Sequence, residues 1–439
     1  MNNKSKPISK NLIDFVDSSP SVFHVIANVE SKLKSAGYRK LLETERWQVK
    51  SGEKCYVTRN GSALIAFRAP NEGKLIPFNI AAAHGDVPTF KIKSDPEMDG
   101  KYLRLNTERY GGVINPSWLD RPLSIAGRVL VQDGNKVTVK LVNIDRDLLL
   151  IPNVAIHLQN NVNDGKKYNL TSDTIPLFAG SDSKGSFMPL IARESGVEES
   201  TILGYDLFLY NRMKGSIWGA NEEFVSCRGL DDLQCSFSAL EGFLAAESEE
   251  KPASIPTLAI FDNEEVGNGT RAGGASSFLM DIMRRIYRDR DEEDMRRVLA
   301  SSFLLSCDNA HATHPNHPEF SDATNKVYLN GGVVIKYNAA QRYITDGISE
   351  AYIKHLCNSN NIPFQKYSNR SDLPGGSTLG NVVATNLSLK AADIGIPQLA
   401  MHSSYETTGV HDTGFAIDLL TEFFKSGYHA TDGDDSVIV

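Results

Sequence analysis

The sequence predicts an α/β fold, a mostly parallel sheet covered by helices and interrupted by a β-rich insertion. Three observations carry this. From about residue 220 onward, short apolar runs alternate with helical patterns, the signature of parallel strands joined by crossover helices. Between about residues 91 and 219 long helical patterns are scarce and short strands dominate. Acidic and imidazole residues recur where the apolar runs end, the edge at which open α/β sheets bind ligands. The expected division is residues 1–90 with 220–439 as one domain and 91–219 as the insert.

The elements follow in chain order. Ser19 and Pro20 read as a helix cap and first turn, Val22, Ile26, Val29 and Leu33 fall at helical spacing, and Gly37 reads as the stop. In "LIPFNIAAAHGD", Ile76, Phe78, Ile80, Ala82, His84 and Asp86 share one face of a strand, so an apolar face ends in His-x-Asp. Inside the insert, "GRVLVQDGNKVTVKLV" is a hairpin around Asp133-Gly134. Beyond it come a helix after "GLDD" with Leu233, Phe237, Leu240 and Leu244, the strand "TLAIF", the helix "GASSFLMDIMRRI", the strands "SFLLSCD", "VVIKY" and "PQLAMH", and a closing helix around Phe415, Leu419 and Phe423. The acidic tail "TDGDDSVIV" reads as frayed.

Composition excludes several classes. The 439 residues carry a formal charge of −8, and the basic cluster "MRRIYRDRDEEDMRR" is interleaved with acids, so it reads as a solvated helix and not as a nucleic-acid face. Membrane spans need ~18 consecutive apolar residues, and no such run or signal-peptide core is present. A cytoplasmic protein is expected. The five cysteines, Cys55, Cys227, Cys235, Cys307 and Cys357, show no CxxC spacing, which argues against a disulfide framework or a thiolate metal cluster.

In "FDNEEVG" two adjacent glutamates, Glu264 and Glu265, close the oily strand "TLAIF". Taken alone they read as a solvated strand end, because charged residues are mostly surface decoration. The pattern changes once His84, Asp231, Asp308 and His402 join them at strand ends or following turns. Each is individually a common cap or satisfied polar group. Together they suit a metal site of hard and borderline ligands without sulfur. Two Zn²⁺ ions bring four positive charges. Asp231, Glu265 and Asp308 supply three negative ones, a hydroxide completes neutrality, and Glu264 is left over as a base.

The segments "AAAHGDVPTFKIK", "YGGVINPSWLDRPLSIAGRVLV", "IPNVAIHLQNNVN", "GLDDLQCSFSALEGF", "FDNEEVG", "CDNAHATHPN", "VVIKYNAAQRY", "RSDLPGGSTLG" and "QLAMHSSYETTG" together resemble the aspartyl aminopeptidase family of dinuclear zinc peptidases. The resemblance begins at "LIDFVDSSPSVFHVIANVESKL" and runs almost to the C-terminus. It implies a zinc-peptidase catalytic domain split by a β-rich dimerisation domain. It also implies two Zn²⁺ per subunit, with Co²⁺ or Mn²⁺ as alternatives. His84, Asp231 and Asp308 would hold one metal, and Asp231, Glu265 and His402 the other. Asp86 would hydrogen-bond the His84 imidazole and fix its orientation, although an aspartate there also reads as a turn cap. A cis peptide is implied at Asp231-Asp232. Glu264 would take a proton from a water held between the metals and pass it to the leaving amine.

The resemblance further implies peptide substrates with N-terminal Asp or Glu, and a dodecamer built from dimers, with no nucleic-acid or membrane partner. Lys336, which alone reads as a lysine snorkelling to solvent, would be an ammonium with no partner facing the substrate's first side chain. His157, which reads as a surface histidine of the strand "VAIHL", would reach a neighbouring subunit's site. Gly375 and Gly376 in "LPGGSTLG" would form a substrate-backbone loop. His311 is a possible near-site group. Tyr405 departs from the family, which commonly has arginine there, and so weakens strict acidic specificity. The rivals are an aminopeptidase of the same scaffold with neutral or basic preference and a non-catalytic shell or cargo protein.

Overall fold

The computed structural model describes residues 5–70, 75–160, 162–246, 253–430 and 436–438. At its centre is a nine-stranded sheet in the order Arg39–Lys40, Lys54–Arg59, Ala63–Arg68, Ile255–Phe261, Phe78–His84, Phe303–Cys307, Lys390–Gly395, Val333–Tyr337 and Phe364–Ser368. The four strands from Ile255–Phe261 to Lys390–Gly395 run parallel. Their chain ends therefore share one edge. The seven residues of Phe78–His84 are all buried, because helices cover both faces. Ala81 and Ala83 pack with Phe237, Leu240 and Phe423 on one side; Phe78, Ile80 and Ala82 pack with Phe278, Ile282 and Leu379 on the other. A strand buried on both faces reads as one apolar run, which is why these strands are visible in the sequence.

A second sheet, of six antiparallel strands between Thr89 and Asn211, is ordered Lys136–Asn143, Leu123–Asp133, Ile202–Asn211, Thr89–Met98, Tyr102–Tyr110 and Leu177–Gly180. It has its own core of Phe90, Ile125, Val129 and Leu207, capped by the helix Phe187–Ser195. The expected hairpin is present, with Asp133 paired to Lys136 and Gly134 at φ 59° in the turn. A third, five-stranded sheet joins Ser216–Trp218, Phe224–Cys227, Glu406–Gly409, Pro397–Leu399 and Ala310–His311.

Several expectations need correction. The helix after Pro20 spans Val22–Ser35 and its cap position is Ser21, not Ser19. The run "PQLAMH" does not enter the central sheet. Only Pro397–Leu399 is strand, in the five-stranded sheet, and the central strand is Lys390–Gly395 just before it. The basic cluster is divided between two helices, Phe278–Ile286 and Glu292–Ala300. The helix Ser5–Asp17 precedes everything the periodicity suggested. In the acidic tail Ser436–Ile438 pairs with Tyr428–Ala430; the remainder lies outside the described residues. Among the described residues no helix is long and apolar enough to cross a membrane.

Candidate functional site

The parallel register brings the site together. His84, the last residue of its strand, lies opposite Phe261, so Glu264 and Glu265 follow three and four residues beyond the same edge. Asp308 follows directly after Cys307 of the adjacent strand. Asp231 comes from a different sheet: Cys227 ends a strand paired with Glu406, and the chain turns through Gly229 at φ 57° into the helix Leu230–Ala245. His402 sits in a turn with φ 68°, a left-handed conformation uncommon for a non-glycine residue. The Asp231-Asp232 peptide is cis, as the resemblance implies.

Asp231 stands between the two histidines. Its Oδ1 is 3.6 Å from His84 Nε2, its Oδ2 is 3.3 Å from His402 Nε2, and His402 Nε2 is 3.5 Å from Glu265 Oε2. Both imidazoles are oriented from behind. His84 Nδ1 donates to the Asp86 carbonyl and His402 Nδ1 donates to the Gly112 carbonyl, each at 3.0 Å. A carbonyl can only accept, so Nδ1 carries a proton and Nε2 is the ring atom that faces the carboxylates and would be free to hold a metal. Asp231 Oδ1 and Glu265 Oε1 are buried with no hydrogen-bond partner, a costly arrangement unless a cation takes them. One ligand atom each from His84, Asp231 and Glu265 lies within 4.8 Å of the others, as does one each from Asp231, Asp232 and Asp308. These groupings pair His84 with Glu265 and include Asp232, which the sequence reading passed over as a ligand. One Asp232 oxygen is committed to the His84 backbone N–H at 3.2 Å.

The electrostatics agree with a cation site. Burial pushes Glu264 up to about 8 and Asp308 up to about 6. Burial would lower His402, but the Asp231 and Glu265 carboxylates outweigh it and raise the ring to about 10. Surplus buried negative charge of this kind attracts protons or a divalent ion. Nitrogen and oxygen donors without sulfur fit zinc. Glu264 differs from its neighbour: Glu265 Oε2 lies 3.5 Å from His402 Nε2, whereas the Glu264 carboxylate has neither a hydrogen bond nor an ion pair among the described residues.

Asp86 does more than orient His84, whose Nδ1 it meets with its carbonyl at 3.0 Å and its carboxylate Oδ1 at 3.4 Å. Its carboxylate accepts the backbone N–H groups of Glu264 at 3.1 Å and Glu265 at 3.2 Å, and the Tyr110 hydroxyl at 2.7 Å. Glu406, overlooked in the sequence, performs the matching task. Its Oε2 accepts from Asp231 N at 3.0 Å and its Oε1 from His402 N at 2.7 Å. The faint signal was an acid at the head of the β-favouring run "ETTG". Tyr110, Gly111 and Gly112 were also missed. A Cβ at Gly111 would meet Glu265 at 3.1 Å and one at Gly112 would meet His402 Nδ1 at 3.1 Å, so only glycine allows this close approach. We expect Glu406→Gln, which puts an NH₂ against one of two N–H donors, to weaken zinc binding or kcat about 10- to 100-fold. Zinc titration and steady-state kinetics check this.

The remaining expected residues divide. Lys336 is buried, but not unpartnered: Nζ donates to the carbonyls of Asp308 at 2.7 Å and Asn309 at 3.1 Å and lies 3.6 Å from Asp308 Oδ1. The Tyr343 ring is 5.2 Å from Nζ, and a Cβ on Gly376 would lie 4.0 Å from the Tyr343 hydroxyl, which links the Gly375-Gly376 loop to Lys336. His311 lies on the strand after Asp308, its ring 6.1 Å from Tyr367, and desolvation and Lys336 lower its pKa. Tyr405 turns away, donating to the Lys214 carbonyl at 2.8 Å. "VAIHL" is a turn rather than a strand, and His157 is exposed in it between Ile156 and Leu158, 52% and 83% exposed.

A family model described as Aminopeptidase I zinc metalloprotease (M18) matches residues 15–424. Probable M18 family aminopeptidase 2 of Clostridium novyi (strain NT) is 42% identical over 436 residues, 97% of this chain and 100% of that protein. The cryo-EM structure of the Ape4 and Nbr1 complex matches with a TM-score of 0.94 at 32% identity, covering 97% of this chain and 87% of that one. The S. cerevisiae mApe1 dodecamer matches with a TM-score of 0.85 at 27% identity, covering 96% and 97%. With the fold, the donor set and a family match over almost its whole length in agreement, this chain belongs to the M18 family of zinc aminopeptidases and is a hydrolase.

Proposed function

We propose that this enzyme removes N-terminal residues, Asp or Glu by preference, from peptides at a two-zinc centre, with Glu264 as the proton carrier. The observation that carries the reading is the placement of Asp231, each of whose oxygens faces a different histidine while Glu264 stays uncommitted beside it. His84, Asp231 and Asp308 would hold one ion and Asp231, Glu265 and His402 the other; Co²⁺ and Mn²⁺ suit the same donors. Asp232 is disfavoured as a ligand by its bond to the His84 backbone. Bound zinc supplies Lewis acidity that acidifies water and polarises the scissile carbonyl. Glu264 accepts the attacking water's proton and returns it to the leaving amine. Asp86 and Glu406 keep four of these residues in register through their backbone N–H groups.

Acidic preference rests on Lys336, whose ammonium has committed two of its three protons to carbonyls. A substrate carboxylate would take the third proton, which a neutral side chain leaves with only Asp308 Oδ1, at 3.6 Å, as a charged partner. The test is a panel of aminoacyl chromogenic substrates with and without chelator. We expect kcat/KM for aspartyl or glutamyl substrates to exceed that for leucyl by at least ~10-fold, with all activity lost to chelator. Lys336→Met should narrow that ratio. Zinc content must be measured in parallel, since Lys336 also holds the Asp308 carbonyl. Faster cleavage of leucyl or lysyl substrates would remove the acidic preference and leave the aminopeptidase intact; chelator-insensitive activity would remove the zinc mechanism.

The same reading divides the chain into a catalytic unit, 1–90 with 220–439, and an inserted dimerisation unit, 91–219, assembled into a dodecamer. The mApe1 dodecamer, similar over almost its full length, supports this, as do the exposed apolar side chains flanking His157, which suit burial against a second copy. His157 then acts in a neighbour's site, where the Gly375-Gly376 loop admits substrate backbone. Co-assembled His157→Phe and Glu264→Gln subunits should regain activity that neither has alone. A fully active isolated monomer would refute sharing. The five cysteines are free and buried, in keeping with a reducing, cytoplasmic setting.

A further inference from the structure

A cavity of about 270 Å³ lies behind the metal centre, where the first turn of the helix Val22–Ser35 meets the inserted sheet. Phe23, Trp118, Phe208 and Tyr210 give it an apolar wall. Four carboxylates also line it, and each is already engaged. Asp86 holds Glu264, Glu265 and Tyr110, and Glu406 holds Asp231 and His402. Asp206 is paired with Lys91 and Arg128, both at 2.9 Å, and Asp262 accepts from Asn263 N at 2.7 Å. Asp206 thereby offsets one of the two charges of Lys91 and Arg128, and Arg128 is further spent on the Asn60 carbonyl at 2.5 Å.

What remains is donor capacity. Arg228 lines the cavity and is 7% exposed. Its guanidinium donates only to the carbonyls of Val16 and Ser19 and lies 5.4 Å from the Tyr210 ring. Among the described residues it has no carboxylate within ion-pair distance, so a buried positive charge with three further N–H groups is left without a counter-ion. The helix start adds a partial positive charge, because Ser21 makes no side-chain cap hydrogen bond.

We propose that this cavity is a second ligand site, specific for a small organic carboxylate with an apolar body. The carboxylate takes Arg228, and the apolar part packs against Phe23, Trp118 and Phe208. Three of the four carboxylates are engaged through both oxygens and the Arg228 charge repels an ammonium, so a free amino acid is disfavoured. The wall shared with Asp86 and Glu406 puts the ligand one residue away from the groups that hold the catalytic backbone.

The test uses the zinc-loaded enzyme with its metal centre saturated by acetohydroxamate, so that carboxylate binding to zinc does not contribute. Binding of 3-phenylpropionate, 3-phenylpropionamide, L-phenylalanine and inorganic phosphate is measured by calorimetry. We expect the carboxylate to bind at least ~10-fold tighter than the amide, the worth of one charge-assisted hydrogen bond, and tighter than phenylalanine. Arg228→Met should abolish that margin, and Phe23→Ala should cut carboxylate affinity several-fold. Equal binding of carboxylate and amide, tighter binding of phenylalanine, or tighter binding of bare phosphate would each overturn the proposal. Should Arg228→Met not fold, Phe23→Ala decides: unchanged affinity overturns the site.

Discussion

Glu264→Gln should lower kcat at least ~100-fold, the lower range for general acid–base catalysis, while zinc stoichiometry and KM stay close to wild type. The change is isosteric, and the Asp86 bond to the Glu264 backbone N–H at 3.1 Å does not depend on the side chain. The expected loss therefore lies in proton transfer and not in the shape of the site. Burial holds the metal-free group at about 8, and nearby cations lower it, toward a value suited to taking and returning a proton near neutrality. Metal analysis beside single-turnover kinetics checks this. Normal turnover by the variant would end the proposed mechanism, whatever its zinc content.

Asp231→Ala should have the larger effect on metal. Replacing a partner outside the coordination sphere costs about 10- to 100-fold in metal affinity; removing the one carboxylate that faces both His84 and His402 should cost more than ~100-fold for both ions together. Activity should fall with it. A competition titration against a chromogenic chelator separates two-ion from one-ion loss. If the variant kept one ion at wild-type affinity, Asp231 would not bridge, and the grouping of His84 with Glu265 would become the better description of the site.

The parts legible from sequence are those where burial and chemistry coincide. Phe78–His84, Ile255–Phe261 and Phe303–Cys307 are largely apolar runs, free of charged residues up to their ends, because helices cover both faces, and each delivers its donor at or a few residues beyond its last residue. Lys390–Gly395 was hidden because it carries Asp393, fully buried, whose oxygens accept from Ile344 N at 2.6 Å and the Thr378 hydroxyl at 2.7 Å. A satisfied buried acid breaks the apolar run without breaking the strand. Its neighbour "PQLAM" reads better as a strand but is spent on a smaller sheet, and His402 is aimed by a left-handed turn that no periodicity announces. Asp86 and Glu406 lay further out of reach, since their partners are backbone N–H groups, which have no letter in a sequence. Lys336 alone read as snorkelling to solvent; the resemblance turned it inward, but its carbonyl partners were not visible.

One feature of the inserted sheet reaches into thermodynamics. The Gly112 carbonyl fixes the tautomer of His402, Gly111 abuts Glu265, and Tyr110 donates to Asp86. The strand Tyr102–Tyr110 and the two glycines after it thus form part of the zinc site's scaffold. Docking of that sheet against the central sheet and retention of zinc draw on the same contacts, so their free energies are linked and the linkage is reciprocal. Whatever factor a docked insert adds to zinc affinity, zinc returns to the docked arrangement. Metal loading is then a stabiliser of the chain's own tertiary arrangement as well as a catalytic requirement, and a subunit depleted of zinc is weakened first along this seam.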